Sequence, residues 1–334
     1  MSRRARLPPL LRLAAAAHAA TAASAAATAQ QPREIRLATW NISWLTTRPA
    51  GHPDLPAGMP VRSPEDLRLL RHYASRLDAD IVALQEVDGP LAAARVFDAR
   101  AYDFHFTRER DVQRVGFAIR RTFPWRANPD LADLDLVPNA RLSLRRGADI
   151  TVETSAGRLR LLAVHLRGGC LRDDLEDPDR PACVQLARQA RILADWISAR
   201  AGEGTAFAVL GDFNRRLDGE DAMWRTLSRA APLVRVADGG PKPCWGLNRP
   251  FIDHLVFGGE SRAWVVPGSL QVLTYRTRDF DGWRDRLSDH CPLSVRLDPA
   301  RRATDGSAGR ASDEPAAARR WLWLLPAEPG RAGR

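Results

Sequence analysis

The chain is short of several things, and each absence narrows the field. Nowhere does it offer a convincing run of about 20 apolar residues, the length a bilayer-spanning helix requires. No stable membrane span is therefore expected. It holds no CxxC pair among its four cysteines, which removes the common zinc-ribbon pattern. There is no internal repeat, so solenoids and propellers are not indicated. The regular strand–helix alternation of a doubly wound parallel sheet is missing as well. The sequence also lacks a clustered basic patch in its central region. The formal charge is +10, but the first thirty residues contribute +4 and residues 301–334 contribute +3. Only +3 remains for residues 31–300, so strong electrostatic wrapping of duplex nucleic acid is not suggested by charge alone.

What is present begins with an N-terminus ordered like a secretory signal peptide. Arg3, Arg4 and Arg6 precede a Leu/Ala-rich region, and the small-residue run ATA stands before Gln30. Residues 1–30 are read as that leader, 31–299 as a single catalytic domain and 300–334 as a flexible Ala/Arg/Gly/Pro-rich tail containing the apolar patch RRWLWLLP. Export predicts a secreted or periplasmic protein. In such a compartment an even cysteine count suggests two disulfides. Cys170–Cys183 would close a polar, Pro-containing loop, leaving Cys244 to pair with Cys291.

Within 31–299, short apolar runs punctuated by Gly, Pro and polar residues read as strands: IRLATW, DIVALQE, VGFAIR, LRLLAVHL, TAFAVLGD, IDHLVF and PLSVRL. Two segments carry a helical period, 63–77, opened by Ser63, Pro64 and Glu65, and 184–200. Adjoining strands with few intervening helices favour two sheets packed face to face with helices outside.

The ends of these runs carry the chemistry. Asn41, Glu86, His165, Asp212 with Asn214, the pair Asp253–His254 and the pair Asp289–His290 all stand where apolar segments stop or start. Each alone is ordinary strand-end polarity, but loops at one rim of a rigid scaffold are where sites form. Glu86, Asp212, Asp253 and Asp289 offer hard oxygen ligands and Asn41 and Asn214 neutral ones, a set that suits Mg²⁺ or Mn²⁺. His165 and His290 supply proton-handling groups. Asp253 and His254, if on a strand, diverge to opposite faces, which makes His254 a supporting residue. Trp40, Trp44, Trp245 and Trp283 are candidates for stacking on bases and equally for core filler.

The blocks TWNISWL, LQEV, VGFAI, AVHL, GDFN, IDHLV and SDHCPL, in this order over residues 39–293, resemble the signatures of the endonuclease/exonuclease/phosphatase superfamily, the DNase I-like fold. The likeness suggests an exported bacterial member. It implies a four-layered α/β sandwich of two packed, mainly antiparallel β-sheets flanked by helices, and metal-dependent hydrolysis of phosphoesters by in-line attack of water. On that resemblance Glu86 is the principal metal ligand with Asn41 assisting. Asp212 orients or activates the water, and Asn214 holds the phosphate or the nucleophile. His290, paired with Asp253, contacts the phosphate and moves a proton. Asp289 is a second metal-side carboxylate, His165 stabilises charge or protonates the leaving oxygen, and Arg141 is the candidate arginine for the phosphate. Where many nucleases of the family place Tyr or Glu before the VGFAI-like strand, this chain has Gln113 and Arg114, so a second acid–His pair is not expected. The substrate is a phosphoester, nucleic acid among the options, handled by a monomer. Rival readings are a phosphomonoesterase or lipid phosphodiesterase, and a non-catalytic binding module on the same fold. An insertion from Gly168 to Pro181 follows His165, and its excess of acids, Asp173, Asp174, Glu176, Asp177 and Asp179 against Arg172 and Arg180, would repel a nucleic-acid backbone.

Overall fold

The computed structural model describes residues 34–302 except 139–142, 237–240, 243, 245–248 and 276–279. The expected leader, most of the expected tail with its apolar patch, Arg141 and Trp245 lie outside the described residues.

In chain order the strands are β1 (Ile35–Leu45), β2 (Ile81–Val87), β3 (Tyr102–Phe106), β4 (Arg114–Arg120), β5 (Trp125–Ala127), β6 (Ala148–Thr154) and β7 (Gly157–His165). They continue as β8 (Ala206–Asp212), β9 (Leu233–Arg235), β10 (Pro241–Lys242), β11 (Arg249–Pro250), β12 (Asp253–Gly258), β13 (Gln271–Val272) and β14 (Leu293–Leu297). The helices are α1 (Pro64–Leu77), α2 (Pro90–Ala93), α3 (Pro181–Gly202), α4 (Ala222–Ala230), α5 (Ser261–Trp264) and α6 (Phe280–Arg286).

Two six-stranded sheets form, ordered β13-β14-β1-β2-β4-β3 and β9-β12-β8-β7-β6-β5. They mirror each other. Each has one central parallel pair, β1 with β2 and β8 with β7, and antiparallel neighbours on both sides. The expected mainly antiparallel sandwich is the observed fold.

Period-two alternation explains the layering. Leu37, Ile81, Ala83, Val115 and Phe117 from the first sheet meet Ile150, Leu161, Ala163, Ala208 and Leu255 from the second in one central core. The opposite faces bury against helices. Ala38, Trp40, Val82 and Leu84 pack on Leu67, Leu70, Tyr73 and Leu77 of α1. Leu162, Val164, Phe207 and Val209 pack on Leu186, Leu193 and Ile197 of α3 and Leu227 of α4. The strands therefore read as continuous apolar runs because both of their faces are covered.

Helix α1 begins where the sequence places it. Ser63 Oγ accepts from Asp66 N, and the Asp66 carboxylate accepts from Ser63 N at 2.9 Å, a reciprocal capping box. Asp221 caps α4 by accepting from Trp224 N. At Gly211, at the end of β8, φ is +146° and a Cβ would collide with the carbonyl oxygen of Val164. Only glycine lets β7 and β8 stay this close just before Asp212.

Both expected disulfides are formed, Cys170–Cys183 and Cys244–Cys291, with sequence separations of 13 and 47. Loop-closure entropy assigns them about 3 and about 4 kcal/mol respectively. Replacing Cys170 and Cys183 by Ser is expected to lower the unfolding free energy by about 3 kcal/mol. Urea denaturation of the purified variant checks this, and an unchanged midpoint would contradict it.

Candidate active site

The parallel pairs bring strand C-termini of both sheets to the same end of the sandwich. On the second sheet His165, Asp212 and Asp253 are neighbours in register across β7, β8 and β12. On the first sheet Asn41 pairs with Gln85, and Glu86 follows directly. All but Glu86 of these site residues are buried.

Asn41 joins the two sheets. Its Nδ2 donates to Glu86 Oε1 at 3.1 Å and to Asp212 Oδ2 at 3.2 Å. Ser43 N donates to Asn41 Oδ1 at 2.9 Å, which fixes the orientation of the amide. Asp212 Oδ1 accepts from Asn214 N at 2.7 Å. Burial pushes the Asp212 carboxyl up to about 7; the nearby His290 and the Asn214 N–H oppose this, and Asp253 and Glu86 reinforce it.

His290 stands against Asp253. Its Nδ1 lies 2.9 Å from both carboxylate oxygens, and its Nε2 is 3.6 Å from Asp212 Oδ2. The carboxylate fixes the proton on Nδ1. The imidazole is held from behind. Ser288 Oγ donates to Asn41 O at 2.7 Å and accepts from His290 N at 3.0 Å. Tyr275 OH donates to His290 O at 2.8 Å and accepts from Trp40 Nε1 at 2.8 Å. Trp40 is thus core rather than surface.

His165 is a different kind of imidazole. Burial holds its pKa well below 6.5, and the charges of Arg145 and His290 add to that. Arg145 Nε donates to His165 Nδ1 at 3.3 Å, so the neutral ring carries its proton on Nε2. That atom faces Glu86 Oε1 and Asp212 Oδ2, each at 3.7 Å.

Of the residues expected at the site, Asn41, Glu86, His165, Asp212, Asp253 and His290 are brought together. Asn214 adjoins them with its backbone N–H on Asp212, while its Nδ2 donates to Leu166 O at 3.0 Å. Asp289 is not placed with them. Its carboxylate is exposed and lies 3.6 Å from Arg284. In the bend before β14, Ser288 and His290 are buried and Asp289 is exposed. His254 diverges from Asp253 as expected. Its ring meets Phe213 edge-on, and its Nε2 is 2.9 Å from Arg215 O.

Arg145 escaped the sequence reading, and Gln113 was noted there only as a replacement, without a role. Arg145, four positions past the expected Arg141, donates to Gln113 Oε1 at 2.8 Å as well as to His165. Gln113 Nε2 in turn donates to Glu86 Oε2. The only signal was the arginine-rich run RLSLRR; which arginine turns inward depends on the loop's path.

The site is backed by strained backbone. Glu86 (φ 57°), Asn214 (φ 51°), Ser43 (φ 43°) and Trp44 (φ 56°) are all left-handed. Each such residue costs roughly 1–2 kcal/mol unless Gly occupies it, and persists where its surroundings over-determine it. Ser43 and Trp44 lie in a bulge of β1 between Asn41 and Leu45.

The donor set fits a divalent cation. Ligand atoms of Asp212, Asp253 and His290 lie within 4.8 Å of one another, and Glu86 shares the Asn41 amide with Asp212. The Asp212–Asp253–His290 grouping shares Asp212 with the set expected from sequence, adds Asp253 and His290, and leaves out Asn41, Glu86 and Asp289. Buried carboxylates in this number require a counter-charge.

The model of the endonuclease/exonuclease/phosphatase family matches residues 38–290. No curated protein sequence matches the chain. Among solved structures, truncated TDP2 from Caenorhabditis elegans is 15% identical with a TM-score of 0.54, over 79% of this chain and 97% of that one. TDP2 from D. rerio, complexed with single strand DNA product, is 18% identical with a TM-score of 0.51, over 79% and 99%. The 3′ phosphatase NExo from Neisseria, bound to a product DNA hairpin, is 15% identical with a TM-score of 0.52, over 79% and 99%. At these identities the likeness is one of fold.

Two outcomes follow from the geometry. Arg145→Met should release both His165 Nδ1 and Gln113, lowering phosphoester turnover about 10- to 100-fold with folding intact; wild-type turnover would contradict the linkage. Near the site, Glu109 accepts from Arg146 N at 3.0 Å and Thr107 Oγ1 at 2.9 Å, and burial pushes its carboxyl up from 4.5 to about 7. The unfolded chain releases this proton near pH 4.5, the folded one near 7. Stability from Glu109 is therefore full below 4.5 and is lost as pH rises to 7. Glu109→Gln should gain on the wild type by up to about 3 kcal/mol across that window, read by denaturation at pH 4.5 and 7.5. A constant difference would refute the assignment.

Proposed function

Because the chain belongs to the endonuclease/exonuclease/phosphatase family, we propose that it is a divalent-metal-dependent phosphoester hydrolase, and within that class a nuclease or phosphodiesterase working outside the cytoplasm. The observation that carries the reading is the in-register row His165–Asp212–Asp253 facing Glu86 through the Asn41 amide, with His290 locked to Asp253.

Glu86 and Asp212, both aimed by the Asn41 Nδ2, would hold a Mg²⁺ or Mn²⁺ ion, which when bound polarises a phosphoryl oxygen and offsets charge on the leaving group. The remaining steps belong to the protein. Asp212 accepts the proton of the attacking water. Asn214 N–H aims that carboxylate, and the Asn214 side chain borders the phosphate. His290, with Asp253 on Nδ1, presents Nε2 to the phosphoryl group. Neutral His165 keeps its proton on Nε2 and offers it as a hydrogen bond to the charge developing on the leaving oxygen, which takes its proton from water.

Two features support the finer reading. The leader-like N-terminus and the two disulfides fit an oxidising compartment. The acidic 173–179 loop, closed by Cys170–Cys183, is laced to the site. Arg215, next to Asn214, donates to Cys170 O at 2.9 Å and Asp173 O at 3.1 Å. Acids at that position favour a single strand or a small diester over a broad duplex surface.

The test is hydrolysis of plasmid, single-stranded DNA, RNA, bis-p-nitrophenyl phosphate, p-nitrophenyl phosphate and sphingomyelin with Mg²⁺ or Mn²⁺. EDTA should abolish cleavage of the nucleic acids and the diester. Glu86→Ala and His290→Ala should each lose roughly 10²- to 10⁴-fold. Cleavage of only the monoester or the lipid would replace the substrate class. Metal binding without turnover on any substrate would return the chain to a binding module.

A further inference from the structure

The bulge of β1 holds a feature that hydrolysis alone does not require. Trp44 is an aromatic residue in a conformation suited to glycine. Every strained peptide around it is tied down. Trp44 N donates to Glu86 Oε2 at 3.2 Å, and Ser43 N donates to Asn41 Oδ1 at 2.9 Å. From behind, Arg62 Nη2 donates to Ile42 O at 3.2 Å and Ser43 O at 2.5 Å, and reaches Leu287 O at 2.9 Å, beside the His290 segment. The backbone could be held this way with any side chain, and glycine would remove the strain.

Among the described residues the indole joins no interior cluster. Trp44 is only half-buried. It belongs to none of the three hydrophobic clusters, and among the described residues its ring has no aromatic or cationic partner. Trp40, four residues earlier, is its opposite, buried and hydrogen-bonded. An unpacked indole is thus rooted one hydrogen bond from Glu86. The charged pairs Arg48–Asp88 and Arg114–Asp88 belong to the same strand end. A flat ring within a charged rim suits a planar group with polar edges better than an acyl chain.

We propose that Trp44 is a stacking platform for the nucleobase attached to the phosphate that the ion on Glu86 would bind, which makes the preferred substrate a nucleotide phosphoester. The proposal rests on the phosphoesterase reading of the same site and narrows it. On this proposal the strain at Trp44 is retained because the left-handed bulge, whose Trp44 N–H meets Glu86, carries the ring to the site.

The test is calorimetric titration, with Ca²⁺ present, of thymidine 3′,5′-bisphosphate and of its base-free 1,2-dideoxyribose counterpart. Wild type should bind the base-bearing ligand about tenfold more tightly. Trp44→Gly, whose thermal midpoint should not fall because glycine suits the backbone, should bind both ligands alike. Trp44→Phe should keep most of the preference. Equal affinities in the wild type, no binding of either ligand, or a preference that survives Trp44→Gly would each overturn the platform. Failure of the broader reading looks different. A base preference lost in Trp44→Gly, in a protein that hydrolyses nothing, leaves the platform standing and removes the hydrolase. Hydrolysis without a base preference removes the platform alone.

Discussion

The Asn41 side chain is the contact on which the site depends. Glu86 belongs to one sheet and Asp212 to the other, and two carboxylates facing each other across a buried seam repel. The Asn41 amide gives a hydrogen to each, and its own oxygen is held by the Ser43 N–H. Hydrophobic contact between the two sheets has no direction of its own. A bidentate amide does have direction. It sets the end of the sandwich in register at the point where the chemistry is assembled.

A second tier of contacts holds this arrangement in place. On one side Arg145 links Ser143, His165 and Gln113, and Gln113 reaches Glu86. On the other, Ser288 and Tyr275 hold the backbone of His290 between Asn41 and Trp40. The disulfides reinforce both flanks: Cys291 directly follows His290, and the Cys170 loop is bound to Arg215 beside Asn214. Groups fixed in this manner need little reorganisation when charge develops on a substrate. The strained φ angles at Glu86, Asn214 and Trp44 mark the places where local preference yields to that requirement.

Much of this was legible in the residues because strand ends are. An apolar run that stops at Glu86, His165 or Asp212 shows both the strand and the polar group at its mouth, and the covered faces of each sheet make those runs long enough to see. The α1 cap was readable for the same local reason. Short edge strands such as β3, with Asp103 and His105 among its aromatics, and β5 gave no comparable pattern, since half-covered strands need less apolar sequence. Arg145 and Gln113 act through contacts 20 or more residues away, which no spacing rule reveals. Asp289 shows the converse: its place beside His290 in sequence suggested a shared site, yet the bend before β14 turns it outward to Arg284. The bulge at Ile42–Trp44 was invisible because nothing in WNISWL announces a tryptophan in a left-handed conformation.

The most direct measurement is a crystal structure with Mn²⁺, located by its anomalous scattering. An anomalous peak against Glu86 and Asp212, at the end where Asn41 joins the sheets, is the predicted result. A peak confined to the acidic 173–179 loop, or none at saturating Mn²⁺, would contradict the claim that this seam is the metal-dependent centre.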